Sequence, residues 1–422
     1  MDLNMHLEER APDCAQITMT TYTSDVSGVA SALYELGGMT VIHDASGCNS
    51  TYSTHDEPRW EAMNSAVFIS ALNEMDAVLG NEALLTENLI DAVKRLDPAF
   101  TALAGTIIPM MTGSDLKGIA ADVEAATGVP AFALSTNGMR AYSIGAAQAW
   151  IELARRFVPR EAPSARLPRT VNLLGATPLD FSIGGEIDSI RSLLEHAGIR
   201  VLAEWAMGST LEDLRRTREA ALNIVVSSAG LPLAQVFSRH FGMPFLTALP
   251  IGEAGAHRWL DLVESALERA LAFPLPEAER DLSHALGRAS DRVHPEAAAE
   301  VDLLVLHEPL RAVETARAFE RDLGLRALPL SALPALGLGD ARLQSELAEC
   351  EFDAVFAAAA RAPNPPVLIA DPLFRAGAER SGLERFVPFP HEAASGRLYR
   401  SAIPNLFSSQ GWESLLEAVR RA

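Results

Sequence analysis

The segment SDVSGVASALYELGGMTVIHDASGC, residues 24–48, contains a helix, a strand and a cysteine loop in that order. Ser24 and Asp25 are residue types that cap helix N-termini, and the Gly-Gly pair that follows is typical of a helix end. The apolar run MTVIHD (39–44) then predicts a buried strand, so Cys48 follows its carboxyl end. In doubly wound parallel sheets, ligands bind at that end of the strands.

The alternation of short apolar runs with amphipathic segments continues along all 422 residues. Predicted strands are MTVIHD, FTALAGTII, VPAFALS, TVNLLGA, NIVVSSA, VDLLVLH and DAVFAAA, and predicted helices include EIDSIRSLLEHAGI and LTENLIDAVKRLD. Proline-rich or polar stretches at 158–170 and 273–300 separate three parts. We therefore predict an α/β fold of three Rossmann-like domains, each a mostly parallel sheet flanked by helices, over 1–165, 166–290 and 291–422.

Composition argues against several classes of partner. The net charge is −20 and lysine and arginine are not clustered, which argues against a nucleic-acid partner. The longest apolar runs, such as FTALAGTIIPMM, are too short to span a bilayer, and no basic, apolar leader opens the chain. The three cysteines form no disulfide framework and fit a reducing compartment. We therefore expect a cytoplasmic protein that binds neither membrane nor nucleic acid.

The cysteine loop has the composition of a reactive or ligand-binding turn. Gly47 lets the backbone approach a bound group closely and leaves the sulfur of Cys48 uncovered. Asn49 and the hydroxyl residues after it supply donors that can stabilise a thiolate. His43 and Asp44 end the strand, where they either tune a bound group or simply complete the turn. Without a CxxC motif or a local Cys/His quartet, residue types alone fit either an ordinary polar turn or a thiolate site.

Three other segments each allow two interpretations. HDEPRW (55–60) is either a solvated charged face or a surface that docks an electron donor or shields a cluster. STNGMRAYSIGA (135–146) and ATPLDFSIGGEIDSI (176–190) are either ordinary strand-to-helix turns or the lining of a ligand cavity. Cys350 is expected to be a small buried hydrophobe between a helix and a strand. The sequence has no GxGxxG fingerprint and no Walker A motif, so nucleotide hydrolysis is expected on another protein.

Residues 28–58, GVASALYELGGMTVIHDASGCNSTYSTHDEP, resemble the first-domain segment of the nitrogenase component 1 family. That family includes the molybdenum–iron protein subunits, their cofactor-assembly scaffolds, and the dark-operative protochlorophyllide and chlorophyllide reductases. The THDEP stretch is similar to one in β-type subunits, and segments 97–139, 170–214 and 395–419 continue the resemblance in order. The resemblance thus touches all three predicted domains and implies the fold described above.

The resemblance implies an iron–sulfur cluster with an altered set of ligands. Only Cys48 matches a cluster cysteine of the family, because the first cysteine position falls near Ser24 and the third near Ile107. Isoleucine cannot bind iron, and Ser24 is explained by helix capping. A four-iron cluster needs four ligands, so we expect a [4Fe-4S] cluster shared between subunits with Cys48 as one ligand. The residues expected to surround it are His43, Asp44, Gly47 and Asn49.

The other ligands stay open from the sequence. Cys14 is the second candidate within this chain, and Asp25 or Asp44 are alternatives because an aspartate replaces one cysteine in protochlorophyllide reductases. A sister subunit can also supply most of the ligands. His391 lies near the cofactor-ligating histidine of α-type subunits, but the local match is closer to β-type subunits, so a structural or substrate-facing histidine is expected.

The function implied by the resemblance is that of a subunit of a nitrogenase-like oxidoreductase. An ATP-hydrolysing iron protein would donate electrons, a homologous sister subunit or a second copy would share the cluster, and a small molecule would be reduced. Two alternatives remain: a scaffold or carrier for assembly of an iron–sulfur or tetrapyrrole-type cofactor, and a cluster-free structural partner. Iron content and ATP-dependent reduction distinguish the three.

Overall fold

The computed structural model describes residues 22–45, 56–161, 163–272, 275–283, 295–334, 336 and 351–422. Six residues singled out in the sequence lie outside these ranges: Cys14, Gly47, Cys48, Asn49, His55 and Cys350. Their predicted roles therefore stay predictions. Among the described helices, none combines the length and apolar character needed to cross a bilayer.

Twelve named strands form three parallel four-stranded sheets. The first contains β1 (Met39–His43), β2 (Ala66–Ile69), β3 (Thr101–Gly105) and β4 (Ala131–Leu134). The second contains β5 (Leu167–Leu174), β6 (Arg200–Trp205), β7 (Ala220–Val225) and β8 (Phe245–Thr247). The third contains β9 (Leu303–Leu306), β10 (Ala327–Leu330), β11 (Val367–Ala370) and β12 (Phe386–Pro388). The predicted α/β architecture with three parallel sheets is confirmed.

Each sheet has the same strand order, in which the first strand is flanked by the second and third and the fourth lies beyond the third. The chain therefore reverses its direction of winding between the first and third strands of every sheet. Such a switch point opens a crevice at the carboxyl ends of the strands, where loops can approach a ligand. The predicted domain limits at 165/166 and 290/291 fall between successive sheets, and their positions stay predictions.

Helices pack between and around the sheets. The first sheet is accompanied by helices α1 (Asp25–Leu33), α2 (Glu74–Leu79), α3 (Glu82–Leu96), α4 (Ile107–Thr112), α5 (Leu116–Thr127) and α6 (Tyr142–Phe157). Those of the second are α7 (Pro178–Phe181), α8 (Glu186–His196), α9 (Leu211–Arg215), α10 (Leu231–Phe241) and α11 (Glu253–Ala272). Those of the third are α12 (Pro309–Leu323), α13 (Glu351–Ala360), α14 (Arg375–Arg380), α15 (Glu392–Tyr399) and α16 (Ser409–Arg421).

The apolar core is continuous between neighbouring sheets. One cluster of buried side chains joins Trp150 of α6 to Trp205 and Phe237 of the second sheet's elements. Another joins Val171 of β5 to Val305 of β9. Because the burial of apolar side chains is the main favourable term in folding, these shared clusters hold the three sheets together.

Two predicted strands are wrong in part or in whole. FTALAGTII ends as a strand at Gly105, and helix α4 begins at Ile107. Pro109 is the third residue of that helix, where a missing N–H is tolerated, whereas it would break the ladder of a central strand. DAVFAAA lies within helix α13, because alanine is the best helix former and Phe352, Val355 and Phe356 recur at helical spacing on the buried side.

Candidate functional site

Polar residues from all three sheets meet at the carboxyl ends of the strands. His307 and Glu308 follow β9, Asp371 follows β11, His391 follows β12, and Asp180 lies on α7 after β5. We call the following set the junction cluster: Tyr142, Asp180, Glu186, His307, Glu308, Arg311, Asp371, His391 and Glu392. Every member is at most 6% exposed. This concentration of buried ionisable groups makes the junction cluster the candidate functional site.

Asp180, Tyr142 and His391 form the centre of the junction cluster. The Tyr142 hydroxyl donates a hydrogen bond to Oδ1 of Asp180. Nε2 of His391 lies 3.3 Å from that same oxygen and 3.3 Å from the tyrosine oxygen. Burial, followed by the negative charges of Asp180 and Glu308, raises the pKa of Tyr142, so the phenol stays protonated and remains the donor.

A second histidine stacks on the first. The rings of His307 and His391 have centroids 4.4 Å apart and an interplanar angle of 29°. Nδ1 of His307 accepts a hydrogen bond from the backbone N–H of Glu308 at 2.8 Å. Burial, with the neighbouring His391 and Arg311, lowers the pKa of His307 well below its ordinary value, so this imidazole is neutral. It packs on His391 as an uncharged ring.

Two buried carboxylates hold the helix after β9. Glu186 makes a paired contact with Arg311, at 2.8 and 2.9 Å, and burial raises the pKa of Glu186 against the opposing effect of that arginine. Glu308 accepts from the backbone N–H groups of Ser228 and Arg311 at 2.7 and 2.8 Å. Burial first and the charge of Asp180 second raise the pKa of Glu308. Acidic groups with raised pKa values in a buried site can store protons.

The remaining carboxylates fix the segment that carries His391. Asp371 accepts from the backbone N–H of His391 at 2.8 Å and from the Ser395 hydroxyl at 2.6 Å. Glu392 accepts from Ser182 of the second sheet's unit at 2.6 Å and pairs with Arg400 at 2.8 Å. The position of His391 is thus set by contacts from two sheets.

The base of the cysteine loop lies at the corresponding end of the first sheet. His43 ends β1, and its Nδ1 lies 2.8 Å from the Ser70 hydroxyl; burial lowers the pKa of His43, against the charges of Asp44 and Glu82. Asp44 accepts from the backbone N–H of Ala45 at 2.7 Å. His43 also lines a cleft of about 230 Å³. Both residues complete the turn, and their predicted role beside a cluster stays a prediction.

Two positions expected for other cluster ligands, Ser24 and Asp25, lie at the start of α1. Ser24 occupies the N-cap of α1, but its hydroxyl makes no capping bond, so the prediction of side-chain capping is wrong. Within the described residues, that buried oxygen has no hydrogen-bond partner. Asp25 accepts from the backbone N–H groups of Asn137 and Gly138, at 3.0 and 2.8 Å, and from Arg140. The backbone N–H groups of this turn therefore already donate to Asp25.

The interpretation of HDEPRW as a solvated face is wrong for its described charged residues. Asp56, Glu57 and Arg59 are all buried. Arg59 binds Glu57 at 2.6 Å, Glu35 at 2.7 Å and the carbonyls of Ser31 and Ala206 at 2.7 and 3.1 Å. Asp56 accepts from Ser27 at 3.0 Å and from Arg397 of α15. The segment after the cysteine loop is consequently anchored to all three units.

The sequence alone points to only part of the junction cluster. It suggests His391 directly, and Tyr142 and Asp180 lie within segments that fit either turns or cavity linings. Sequence reasoning misses His307, Glu308 and Asp371, although they come directly after apolar strands, in VDLLVLHEP and VLIADP. A polar residue at that place in a parallel sheet is the available sequence signal.

Comparisons with known proteins agree with this architecture. Residues 26–348 match the model of the family described as nitrogenase component 1 type oxidoreductase. Cofactor biosynthesis protein NifE of Klebsiella pneumoniae is 26% identical over 49% of this chain and 47% of its own length. One of the subunits of the light-independent protochlorophyllide reductase of Parasynechococcus marenigrum is 29% identical over 64% of this chain and 53% of its own length.

A nitrogenase molybdenum-iron protein alpha chain of Methanothermococcus thermolithotrophicus is 25% identical over 51% of this chain and 45% of its own. The chain thus spans about half the length of the curated relatives it matches. The solved structure "Nitrogenase Cp1 at pH 6.5" has the same fold, with a TM-score of 0.66 and 17% identity over 98% of this chain and 94% of that one. This chain belongs to the nitrogenase component 1 type oxidoreductase family.

Proposed function

We propose that this chain is a subunit of a nitrogenase-like oxidoreductase. An ATP-hydrolysing iron protein would supply low-potential electrons, an iron–sulfur cluster would relay them, and a small molecule at the junction cluster would receive them. The observation that carries the proposal is the junction cluster itself: a buried set of acid–base groups at strand ends, in a member of an oxidoreductase family. Reduction of a small molecule consumes protons as well as electrons, and such groups can provide them.

The described residues at the expected ligand positions supply few of the ligands that a cluster needs. The Ser24 hydroxyl is a buried oxygen without a partner in the described part of the chain, whereas Ile107 offers no donor atom. Both oxygens of Asp25 are already bonded. Four ligands, usually thiolates, hold a four-iron cluster. We therefore propose that Cys48 binds the cluster, with Cys14 as the second candidate, and that a second homologous chain completes the ligand set.

An apolar surface on helices that follow strands of the first sheet supports such a pairing of chains. We define the apolar patch as Met75, Val78 and Leu79 of α2 with Met110 and Met111 of α4. Each of these side chains is at least 51% exposed, and Val78 is 81% exposed. Helix α4 follows β3, which pairs with β1 and ends opposite His43. Contiguous exposed apolar side chains mark interaction surfaces, so we propose that the second homologous chain covers the apolar patch.

A scaffold or carrier for cofactor assembly is the second candidate. It is favoured by the NifE proteins among the relatives, whose names give a role in cofactor biosynthesis. By the resemblance, two cluster-cysteine positions of the family fall near Ser24 and Ile107, and the absence of cysteine there also fits a chain that holds a cofactor without the full relay. ATP-dependent reduction distinguishes this candidate from the reductase.

The decisive experiment is anaerobic purification with the products of neighbouring genes, followed by iron, sulfide and EPR analysis. Cys48→Ala should lose iron and the EPR signal, because one thiolate ligand is removed. Cys350→Ala is the matched control and should keep both. If Cys48→Ala retains wild-type iron and spectra, the assignment of function fails. If the wild-type protein holds iron but a cognate iron protein with ATP does not reduce it, the scaffold function replaces the reductase.

A further inference from the structure

Two buried polar atoms at the centre of the junction cluster have no hydrogen-bond partner in the described chain: Nδ1 of His391 and Oδ2 of Asp180. The two residues are 1% and 4% exposed and contact each other through their other polar atoms. Buried polar atoms in native proteins are almost always bonded. These two atoms therefore indicate where a bound molecule would make hydrogen bonds.

The geometry resembles a carboxylate–histidine pair in which one ring nitrogen is oriented and the other does the chemistry. Asp180 contacts Nε2 of His391, and Tyr142 donates to the same carboxylate oxygen. Asp371 fixes the backbone N–H of His391 at 2.8 Å. A carboxylate in this position selects the ring tautomer and stabilises the imidazolium. The nitrogen left to exchange a proton is Nδ1.

Aromatic rings and carboxylates surround His391. Tyr22 and Tyr142 lie edge-on to the ring, with centroids 5.4 and 6.0 Å away, and the neutral His307 ring stacks on it. The titratable neighbours are Asp180, Asp371, Glu308 and the Arg311–Glu186 pair. The guanidinium of Arg311 binds Glu186 rather than Asp180. The carboxylate of Asp180 therefore makes its hydrogen bonds with Tyr142 and His391.

We propose that His391, positioned by Asp180, is the acid that protonates the molecule reduced at the junction cluster. This inference rests on the proposed function. The N–H bond at Nδ1 breaks as a bond forms between that proton and the substrate atom that has gained electrons from the iron protein. The imidazolium becomes neutral imidazole, keeps its Nε2 proton toward Asp180, and is reprotonated from solvent. The substrate class is a small molecule with an unsaturated bond and an atom that accepts a hydrogen bond from Nδ1.

Histidine-selective ¹⁵N NMR of the whole chain tests the pair without any turnover. His391→Gln assigns the resonance among the ten histidines. In the wild type, Nδ1 should bind and release a proton as the pH changes, while Nε2 keeps its proton and its hydrogen bond to Asp180. Asp180→Asn should lower the midpoint by about one pH unit or more, because the opposite charge is lost. His257→Gln, at an exposed site, should leave that midpoint unchanged. A His391 ring that stays neutral from about pH 5 to 9 would overturn the proposal.

Turnover provides the second readout, with reduced iron protein and ATP as the electron supply and azide, a small unsaturated molecule whose nitrogens accept hydrogen bonds, as the final acceptor. His391→Gln should leave the first oxidation of iron protein unchanged and slow its steady oxidation about tenfold or more. A steady rate equal to that of the wild type contradicts the role of His391. If the wild-type chain takes up no electrons, the proposed function fails, and the NMR experiment still decides whether Asp180 and His391 form an acid–base pair.

Discussion

Arg59 shows how much depends on single buried charges in this chain. Its side chain is 7% exposed and binds two carboxylates and two carbonyls, including Ala206 of the second unit. Arg59→Ala leaves Glu57 and Glu35 without their shared partner, so we expect a loss of about 3–5 kcal/mol in the free energy of unfolding. Denaturant titration measures it.

Arg95→Ala is the control for Arg59→Ala, because Arg95 pairs with Asp91 within one helix at 75% exposure. That exposed pair should contribute less than about 1 kcal/mol. Equal effects of the two substitutions would show that the Arg59 network adds no special stability.

The burial of these charges could not be predicted from the sequence. Asp56, Glu57 and Arg59 occur close together, and such a cluster usually marks a solvated surface. Their partners come from distant positions, since Arg59 and Ala206 are separated by 147 residues. Local composition carries no information about which distant carbonyl or carboxylate will pack against a guanidinium.

Glu308 should make stability depend on pH in a defined direction. Its folded pKa is raised above the ordinary 4.5, by burial and then by Asp180, so the folded state retains a proton that the unfolded state releases. Its stabilising contribution is complete below pH 4.5 and is lost as pH rises through the folded pKa. The amide in Glu308→Gln has no such proton to release, so this variant should not lose stability in that way.

The free energy of unfolding of Glu308→Gln should therefore improve relative to the wild type as pH increases from about 4.5 to 8. Denaturant titrations at several pH values give the difference between the two proteins. The exposed Glu413→Gln should follow the wild type at every pH. A difference for Glu308→Gln that is independent of pH would contradict the raised pKa.

At the scale of elements, helices α1 and α6 meet backbone to backbone. A Cβ added to Gly145 would lie 1.8 Å from the Asp25 carbonyl oxygen, and one at Gly28 would lie 1.9 Å from that of Tyr142. Gly145→Ala must push the helices apart, at an expected cost of about 3 kcal/mol in stability. Thermal or denaturant unfolding measures this cost, and Gly184→Ala, which meets open space, is the control.

The same contact positions Tyr142 at the start of α6, so Gly145→Ala should also disturb the junction cluster. The His391 NMR resonance reports this disturbance directly. A variant with wild-type stability and an unchanged His391 signal would show that the helices can separate without strain.

Element types were predictable where periodicity and termini agreed, and failed where composition was ambiguous. Strand β1 matches MTVIHD closely because its apolar residues are bounded by glycine before and a polar turn after. For part of helix α13 the sequence predicts a strand, because phenylalanine and valine occur within a short apolar run. Short apolar runs do not distinguish a buried strand from a buried helix.

At the scale of the whole molecule, three parallel sheets were predictable from the repeated alternation, but their shared strand order and the junction cluster were not. Its residues extend from Tyr142 to Glu392, and only the packing of the sheets brings them together. The apolar clusters that join the sheets are generic in composition, so the sequence specifies the units more clearly than their arrangement.

The Arg311–Glu186 pair connects the second and third sheets' units inside the junction cluster. Both side chains are 2% exposed, and the guanidinium lies 5.1 and 5.4 Å from the ring centroids of Phe181 and Phe407. Arg311→Met leaves a buried carboxylate without its cation, so we expect about 3–5 kcal/mol of destabilisation. In calorimetry, the second and third units should then unfold at more separate temperatures than in the wild type.

The double variant Glu186→Gln/Arg311→Met distinguishes lost charge pairing from lost packing. A neutral amide needs less compensation when buried, and methionine fits between the two aromatic rings, so most of the lost stability should return. Recovery would mean that an unpaired charge caused the loss and that apolar contacts hold the units together. If the double variant is as unstable as Arg311→Met, the guanidinium's own contacts with the rings and with Glu186 are what couple the two units.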